Sequence, residues 1–409
     1  MNIVILDDDT PRAESWVDSM RTSIGGDGHS VTALSVPEVS EVISSLHKSR
    51  YSAREGEYKT VAQLDEVDLL IVDYDLLGLD TEGTSAWSTG AEVAYAARLM
   101  SLVGPIVVVN QYGTNSFDLT MRRTSPSYAD LDLGSKHVTS AELWRSSDFT
   151  EFRPWHWPNL LVEPVRFKDL SNFIEANIDK SIIETLQLNI EDFDSPRYIP
   201  HELLARLGLL PDKSITFRSL LTGRRGEGKL QPNPISVFNI LEKDAKIIEK
   251  LPNRNLANLA AAVLSHWIER LILPNQELIC DAPHLVSRYP WVLENYKDES
   301  AWRKICDLHE VHGLVPDLEK FRVYPECLVS RPAYWGQEVK GSIKRPVDFS
   351  IRDIPNLAFC EDASRFVDKS SCKSYPSDLQ SFDRERWVVD ELSAGGEKVN
   401  YEPQAYLLM

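Results

Sequence analysis

Residues 68–80 have the sequence DLLIVDYDLLGLD, in which a short apolar run ends abruptly at Asp73. The N-terminus repeats this arrangement, because the run NIVIL at Asn2–Leu6 is followed at once by Asp7, Asp8 and a third aspartate. Short apolar runs rich in branched side chains, each ending in a polar residue, are typical of parallel strands buried on both faces. The two stretches therefore predict neighbouring strands whose carboxyl ends carry carboxylates.

Two further runs extend the pattern along the chain. PIVVV at 105–109 ends at Asn110, and LLV at 160–162 ends at Glu163. The stretches 11–20, 89–102 and 167–178 have amphipathic spacing and predict helices between and after these strands. Alternating strands and helices indicate an α/β fold with a doubly wound parallel sheet, in which ligands bind at the carboxyl ends of the strands.

We place the first domain at 1–178. The sequence of the remaining residues predicts two more domains. We expect residues 196–312 to form a helical domain, because apolar residues from 256 to 272 recur with a period of about 3.6 residues. Residues 313–409 are richer in proline and aromatic residues, with short strand-like runs, and predict a mixed α+β domain of unknown function. Within the first domain, residues 112–159 form a long connection with little periodicity, and such connections are usually functional or partly disordered.

The net charge of −18 argues against several classes of partner. Residues 1–178 hold 14 Lys+Arg against 27 Asp+Glu, so most of the excess lies in the first domain, which is not expected to bind nucleic acid. No apolar run is long enough to span a membrane, and the N-terminus does not resemble a signal peptide. Five cysteines, none before Cys280, do not suggest a disulfide framework, so we expect a cytoplasmic protein.

The carboxylates at the strand ends predict a cation site. In a parallel sheet Asp7, Asp8 and Asp73 converge at one edge, where like charges are unfavourable without a counter-ion. Oxygen ligands favour a hard cation, of which Mg²⁺ is the first choice. Such a cation would let one carboxylate attack a phosphorus atom by neutralising the oxygens around it.

With these motifs, residues 1–178 resemble the receiver domain of two-component response regulators. The resemblance implies a five-stranded flavodoxin-like sheet in which MNIVILDDD supplies the acidic pair, Asp7 and Asp8. In DLLIVDYDLLGLD it makes Asp73 the phosphoacceptor, and Asp75 would offer its backbone carbonyl to Mg²⁺. It also implies a sensor histidine kinase or another signalling protein as partner. Because receivers signal through the region that 112–159 occupies, we expect this segment to contact the C-terminal domains.

Two positions depart from the family pattern. Asn110 takes the place of the hydroxyl residue that ends the fourth strand, and Glu163 takes the place of the lysine that follows the fifth. The hydroxyl normally transmits the signal, and the lysine neutralises the phosphoryl group. We therefore interpret the domain as an atypical receiver, or pseudo-receiver, that acts mainly through protein contacts with its C-terminal region or a partner.

Two alternatives stay open. The first is a conventional response regulator, phosphorylated at Asp73, that controls an enzymatic and possibly metal-dependent C-terminal domain. The second is a transcriptional regulator, although no DNA-binding motif is evident. Whether the chain is an enzyme is left open, with a non-enzymatic role favoured.

The C-terminal region offers two weaker groups of candidate site residues. Cys306, His309 and His312 are potential zinc ligands, but their spacing matches no standard zinc motif and zinc is not expected. The second group follows a strand-like run and comprises Cys360, Asp362 and Arg365. Capping of a turn would explain the second group equally well.

Overall fold

A five-stranded, all-parallel sheet with the strand order β2-β1-β3-β4-β5 forms the centre of the N-terminal part of the chain. The computed structural model describes residues 1–25, 28–79, 89–110, 129–144, 152–155, 159–207, 213–222, 224–226, 229–231, 247–273, 276–306, 311–375, 386–389, 393–394 and 397–398. The five strands are Asn2–Leu6 (β1), Ser30–Ala33 (β2), Leu69–Asp73 (β3), Ile106–Asn110 (β4) and Leu131–Gly134 (β5). The α/β class and the parallel sheet predicted from the sequence are thereby confirmed.

The helices up to residue 267 vary widely in length. They span Thr10–Ile24 (α1), Val36–Glu55 (α2), Ala62–Asp65 (α3), Gly90–Met100 (α4), Ser135–Val138 (α5), Ala141–Trp144 (α6), Glu163–Ala176 (α7), Ile182–Thr185 (α8), His201–Arg206 (α9), Phe217–Thr222 (α10) and Asn253–Trp267 (α11). The helices predicted at 11–20, 89–102 and 167–178 are found as α1, α4 and α7. A π-helix, Ile268–Ile272, continues α11, and a short hairpin joins Arg224–Gly226 (β6) to Lys229–Gln231 (β7).

The chain divides into two compact units. The first comprises Met1–Trp144, Asn159–Thr185 and Ala205–Leu264, and the second comprises Arg145–Pro158, Leu186–Leu204 and Ser265–Met409. Most of α11 belongs to the first unit, whereas the sequence pattern assigns it to a separate helical domain. Within the first unit Asn258 of α11 is bonded to Ser171 of α7, and Asn255 donates to the carbonyl of Ser101 at 3.4 Å.

The second unit contains short helices and a mixed four-stranded sheet with the order β11-β10-β13-β12. Its strands are Ile279–Asp281 (β8), Ala333–Trp335 (β9), Leu357–Cys360 (β10), Arg365–Asp368 (β11), Cys372–Tyr375 (β12), Arg386–Val389 (β13), Ser393–Ala394 (β14) and Glu397–Lys398 (β15). Its α-helices are Ala282–Arg288 (α12), Glu299–Lys304 (α13) and Gly336–Ser342 (α14). Within the described part of the chain, no helix combines the length and the apolar character needed to cross a membrane.

The position of the fifth strand differs from the prediction. Residues 160–162 form a turn before α7, and the fifth strand is β5, which pairs with β4 inside the segment 112–159. Leu160 to Val162 is short and precedes Pro164, which suits the first turn of a helix because proline lacks an amide hydrogen. As an edge strand, β5 need not be a continuous apolar run, and the residues LDLG at Leu131–Gly134 do not show the pattern of a strand buried on both faces.

Gly90 allows the start of α4 to approach β3 closely. An added Cβ at this position would lie 2.3 Å from the carbonyl oxygen of Asp73 and 3.1 Å from the Cα of Tyr74. Because these are backbone atoms, we expect Gly90→Ala to lower the free energy of unfolding by about 1–3 kcal/mol in urea denaturation. The control is Gly341→Ala in α14, where no atom lies within 4 Å and a gain of up to about 1 kcal/mol is expected.

Candidate acidic site at the carboxyl edge of the sheet

The register of the sheet brings two buried aspartates together. Leu6 pairs with Val72 across β1 and β3, so that Asp7 and Asp73, the next residues on each strand, lie side by side at the carboxyl edge. Asp7 is 1% exposed and Asp73 is 0% exposed. With Asp8 they form a group of three carboxylates whose oxygens lie within 4.8 Å of one another.

An arginine side chain lies among these carboxylates. The Nη2 of Arg12 is 2.5 Å from Asp7 Oδ1, 2.7 Å from Asp73 Oδ2 and 3.4 Å from Asp8 Oδ1. Its Nε donates to the second oxygen of Asp7 at 2.8 Å, so the guanidinium binds that carboxylate in a bidentate manner. Arg12 is therefore the internal counter-ion of the acidic site.

The first turn of α1 places Arg12 in this position. Asp9 caps the helix by accepting a hydrogen bond from the Arg12 amide at 3.1 Å, and Pro11 lies in the first turn. A cation at the N-terminus of a helix is opposed by the helix dipole. The contacts with the three carboxylates outweigh this small effect and hold the side chain against the sheet.

Asp8 and Asp75 occupy the rim of the site. Asp8 Oδ2 accepts a hydrogen bond from the amide of Gly78 at 2.6 Å, which ties the loop after β3 to β1. An added Cβ at Gly78 would lie 2.6 Å from the same oxygen, so a larger residue here would displace the Asp8 carboxylate. Asp75 is half-buried, and its side chain accepts a hydrogen bond from the amide of Leu77 at 3.2 Å.

The surroundings favour protonation of Asp73. Burial, reinforced by the negative charge of Asp7 and opposed by Arg12, raises the pKa of Asp73 to about 7. Burial also raises the pKa of Asp8, although the hydrogen bond from Gly78 opposes this change. The hydrogen bond from Arg12 to Asp7 in turn raises the pKa of the Arg12 guanidinium, which stays charged.

The site has the ligand chemistry for a divalent cation, but only if Arg12 moves. Three carboxylates converging from two strands are suitable ligands for Mg²⁺. The Arg12 guanidinium already contacts all three of them, and its side chain is 23% exposed, so it has a route to solvent. A bound cation would therefore compete with an arginine that belongs to the chain.

The structure separates Asn110 and Glu163, the two positions at which the sequence differs from the receiver domains that it resembles. Asn110 ends β4, one residue beyond the partner of Asp73 in the register, and so lies at the same edge as the acidic site. Glu163 instead begins α7, where its carboxylate is 2.6 Å from Nη2 of Arg166. The prediction that Glu163 follows the fifth strand is therefore wrong, because that strand ends at Gly134.

The potential zinc ligands of the C-terminal region do not form a site among the described residues. Burial raises the pKa of the Cys306 thiol to about 12, and His312 is exposed. His309 lies outside the described residues. Within the described ranges, the three aspartates of the first unit are the only group of three or more Asp, Glu, His or Cys side chains close enough to share a metal ion.

Cys360, Asp362 and Arg365 lie together on the hairpin of β10 and β11. Cys360 pairs with Arg365 in the register, but burial raises the pKa of its thiol far above the usual range, which disfavours a thiolate nucleophile. Asp362 accepts hydrogen bonds from the amide of Val389 at 2.9 and 3.1 Å. The carboxylate therefore links β10 to β13, a structural role.

The segment 112–159 enters the second unit through its last part. The amides of Arg153 and Trp155 donate to the carbonyls of Asp362 and Glu361 at 2.8 and 2.7 Å. The Trp155 ring is also 5.1 Å from the ring of His284.

Comparison with known proteins yields no relative. No family model, no curated protein and no solved structure matches the chain.

Proposed function

We propose that the first unit is a receiver-like signalling module that acts through protein contacts and in which Arg12 takes the charge-neutralising role of a bound cation. The observation that carries the proposal is the position of Arg12 among Asp7, Asp8 and Asp73. A conventional phosphoacceptor needs these oxygens for Mg²⁺ and space for a phosphoryl group beside Asp73. Arg12 instead supplies a positive charge to these carboxylates from within the chain.

Two further observations support a receiver-like module. The strand order β2-β1-β3-β4-β5 with all strands parallel is the arrangement expected of a flavodoxin-like sheet. The acidic residues lie at the carboxyl edge of its central strands, where such sheets bind ligands. A cytoplasmic signalling protein, with a partner protein or the C-terminal region as its target, accords with these features.

The test is a titration with Mg²⁺ and beryllofluoride, which mimics a phosphoryl group on aspartate. Tryptophan fluorescence is the readout, because the Arg12 guanidinium lies 5.8 Å from the ring of Trp16. We expect the wild-type protein to show no saturable response at millimolar Mg²⁺. We expect Arg12→Ala to acquire a Mg²⁺-dependent response, because the three carboxylates are then accessible to the cation.

The conventional phosphoacceptor is the competing outcome of the same titration. A saturable wild-type response to Mg²⁺ and beryllofluoride that disappears in Asp73→Asn would overturn the proposal. Asp73→Asn keeps the oxygen that accepts from Arg12, so it is a suitable control for folding. In that case Asp73 would be the nucleophile, and a sensor histidine kinase would be the donor to look for.

A further inference from the structure

The second unit contains a cavity of about 670 Å³ with an unusual lining. This volume falls in the range of sites that bind small molecules and cofactors. Five aromatic rings and four cations line the cavity together with aliphatic and polar residues, whereas carboxylates are nearly absent from the described lining. The cations are Arg288, Arg345, Lys369 and Arg386, and the one carboxylate is Glu361. A local excess of positive charge in a chain of net charge −18 points to an anionic ligand.

The single carboxylate of the lining is already neutralised by its neighbours. Glu361 is 2% exposed, and its Oε1 lies 3.3 Å from Nε2 of His284 and 3.5 Å from Nε of Arg386. The other ring nitrogen of His284, Nδ1, lies 2.7 Å from Oδ1 of Asp281, which is fully buried. Burial opposes the charged imidazole, but the two carboxylates outweigh it and raise the pKa of His284.

Two of the cations are held by aromatic rings instead of carboxylates. Arg345 lies with its guanidinium carbon 4.6 Å from the ring centre of Phe349, and Lys369 Nζ is 5.6 Å from that of Trp387. Neither forms an ion pair with any described residue. Cations that rest on aromatic faces keep their charge available for a ligand, whereas those in ion pairs do not.

Packing contacts and a hydrogen bond hold the aromatic part of the wall in place. Trp291 packs edge-to-face against Phe349 with ring centres 5.2 Å apart, and its indole nitrogen donates to the carbonyl of Ile343 at 3.1 Å. Phe359 packs in the same manner against His284, at 5.0 Å. Rings fixed by such contacts offer surfaces on which a planar group can stack at little entropic cost.

We propose that this cavity binds a mononucleotide-class ligand, that is, a planar heteroaromatic ring that carries phosphate. Stacking against Trp291 or Trp387 would hold the ring, and the cations would hold the phosphate, since the guanidinium fork matches phosphate oxygens. Arg288 and Arg386 are already paired with Glu277 and Glu361, at 3.8 and 3.5 Å, so Arg345 and Lys369 are the cations of the described lining that a ligand can use. Two positive charges suit a phosphate better than a single carboxylate. The inference concerns the second unit only and does not rest on the function proposed for the first.

Isothermal titration calorimetry on the full-length protein tests the proposal with the four common ribonucleoside 5′-monophosphates, the matching nucleosides and inorganic phosphate. We expect at least one nucleotide to bind at least tenfold more tightly than its nucleoside and than phosphate. Absence of saturable binding by all four nucleotides at millimolar concentration would overturn the proposal. Equal affinity for the nucleoside or for phosphate would also overturn it, because only one half of the lining would then be used.

Variants locate the binding in the cavity. We expect Lys369→Gln and Arg345→Gln each to weaken nucleotide binding by about tenfold, the loss of one charge-assisted contact. Arg345 and Lys369 are both exposed, so neither replacement is expected to disturb folding. Arg352→Gln is the matched control, since Arg352 is exposed and outside the lining. Unchanged affinity in Arg345→Gln, or an equal loss in the control, would contradict the assignment.

Discussion

Arg12→Ala is expected to lower the free energy of unfolding by about 3–5 kcal/mol at pH 8 in buffer without divalent cations. The variant leaves Asp7 and Asp73 buried at hydrogen-bond distance from a group that is no longer present. Removing one partner of a buried ion pair costs far more than the net contribution of the intact pair, because the remaining charges stay desolvated. Urea denaturation measures the loss.

Added Mg²⁺ should restore much of the stability that Arg12→Ala loses, because the cation then binds the folded state and not the unfolded chain. Arg21→Ala, on the same helix, is the matched control. Arg21 donates to the carbonyl of Val31 at 2.9 Å, so its removal should cost about 1 kcal/mol and should be insensitive to Mg²⁺. If Arg12→Ala lowers the free energy of unfolding by less than about 1 kcal/mol, the guanidinium is not the counter-ion of the acidic site.

Asp73→Asn is expected to stabilise the protein at pH 8 by about 2–4 kcal/mol, and this gain should disappear near pH 4. The pKa of Asp73 is raised to about 7 in the folded state, whereas an aspartate in an unfolded chain titrates near 3.9. Between these values the folded state binds more protons than the unfolded state, so the wild-type free energy of unfolding falls as pH rises from about 4 to 7. Asparagine does not titrate and escapes this loss.

The measurement is a series of urea denaturations of both proteins from pH 4 to pH 8. The difference between variant and wild type isolates Asp73 from the other groups that titrate in this range. Asp68→Asn is a control at the opposite end of the same strand, where the carboxylate accepts a hydrogen bond from the amide of Asn2 at 2.7 Å. A difference between Asp73→Asn and wild type that is constant with pH would show that Asp73 is ionised throughout.

The stabilities of Arg12→Ala and Asp73→Asn both depend on the charges of Arg12 and the neighbouring aspartates. Arg12 opposes the rise in the pKa of Asp73, so its removal should make Asp73 easier to protonate. The cost of Arg12→Ala should therefore shrink at low pH, where Asp73 is neutral. In the double variant of Arg12→Ala and Asp73→Asn, the cost should fall below that of Arg12→Ala alone, since one buried charge is gone.

The carboxylates of the site could be predicted from the sequence because their positions follow from strand periodicity. Apolar runs that end at Asp7 and Asp73 require only that the strands be parallel and adjacent for the two side chains to meet. The role of Arg12 could not be predicted in the same way. Its position five residues after Asp7, in the first turn of a helix, is compatible with many side-chain directions. The one indication in the sequence is that Arg12 is a basic residue three positions after the acidic run that ends at Asp9.

The fifth strand shows the limit of reading apolar runs. Leu160 to Val162 satisfies the pattern but lies before a helix, whereas β5 contains a polar residue and is nevertheless a strand. An edge strand is defined by its pairing with the neighbouring strand. Here β5 pairs with β4, with Gly134 opposite Asn110, and these residues are far apart in the sequence. The difference bears on the proposed function, because Glu163 does not follow the fifth strand, where the resemblance to receiver domains implies a lysine.

Local sequence thus determines three of the five strands (β1, β3 and β4), the helices α1, α4 and α7, and the place where negative charge accumulates, because each depends on residues adjacent in the chain. Long-range packing determines which side chains contact these negative charges. It inserts Arg12 among the aspartates of two strands, and in the second unit it brings Asp281, His284 and Glu361 into one cluster across 80 residues. The side chains that neutralise a buried charge are chosen by three-dimensional proximity, which no periodicity in the sequence records.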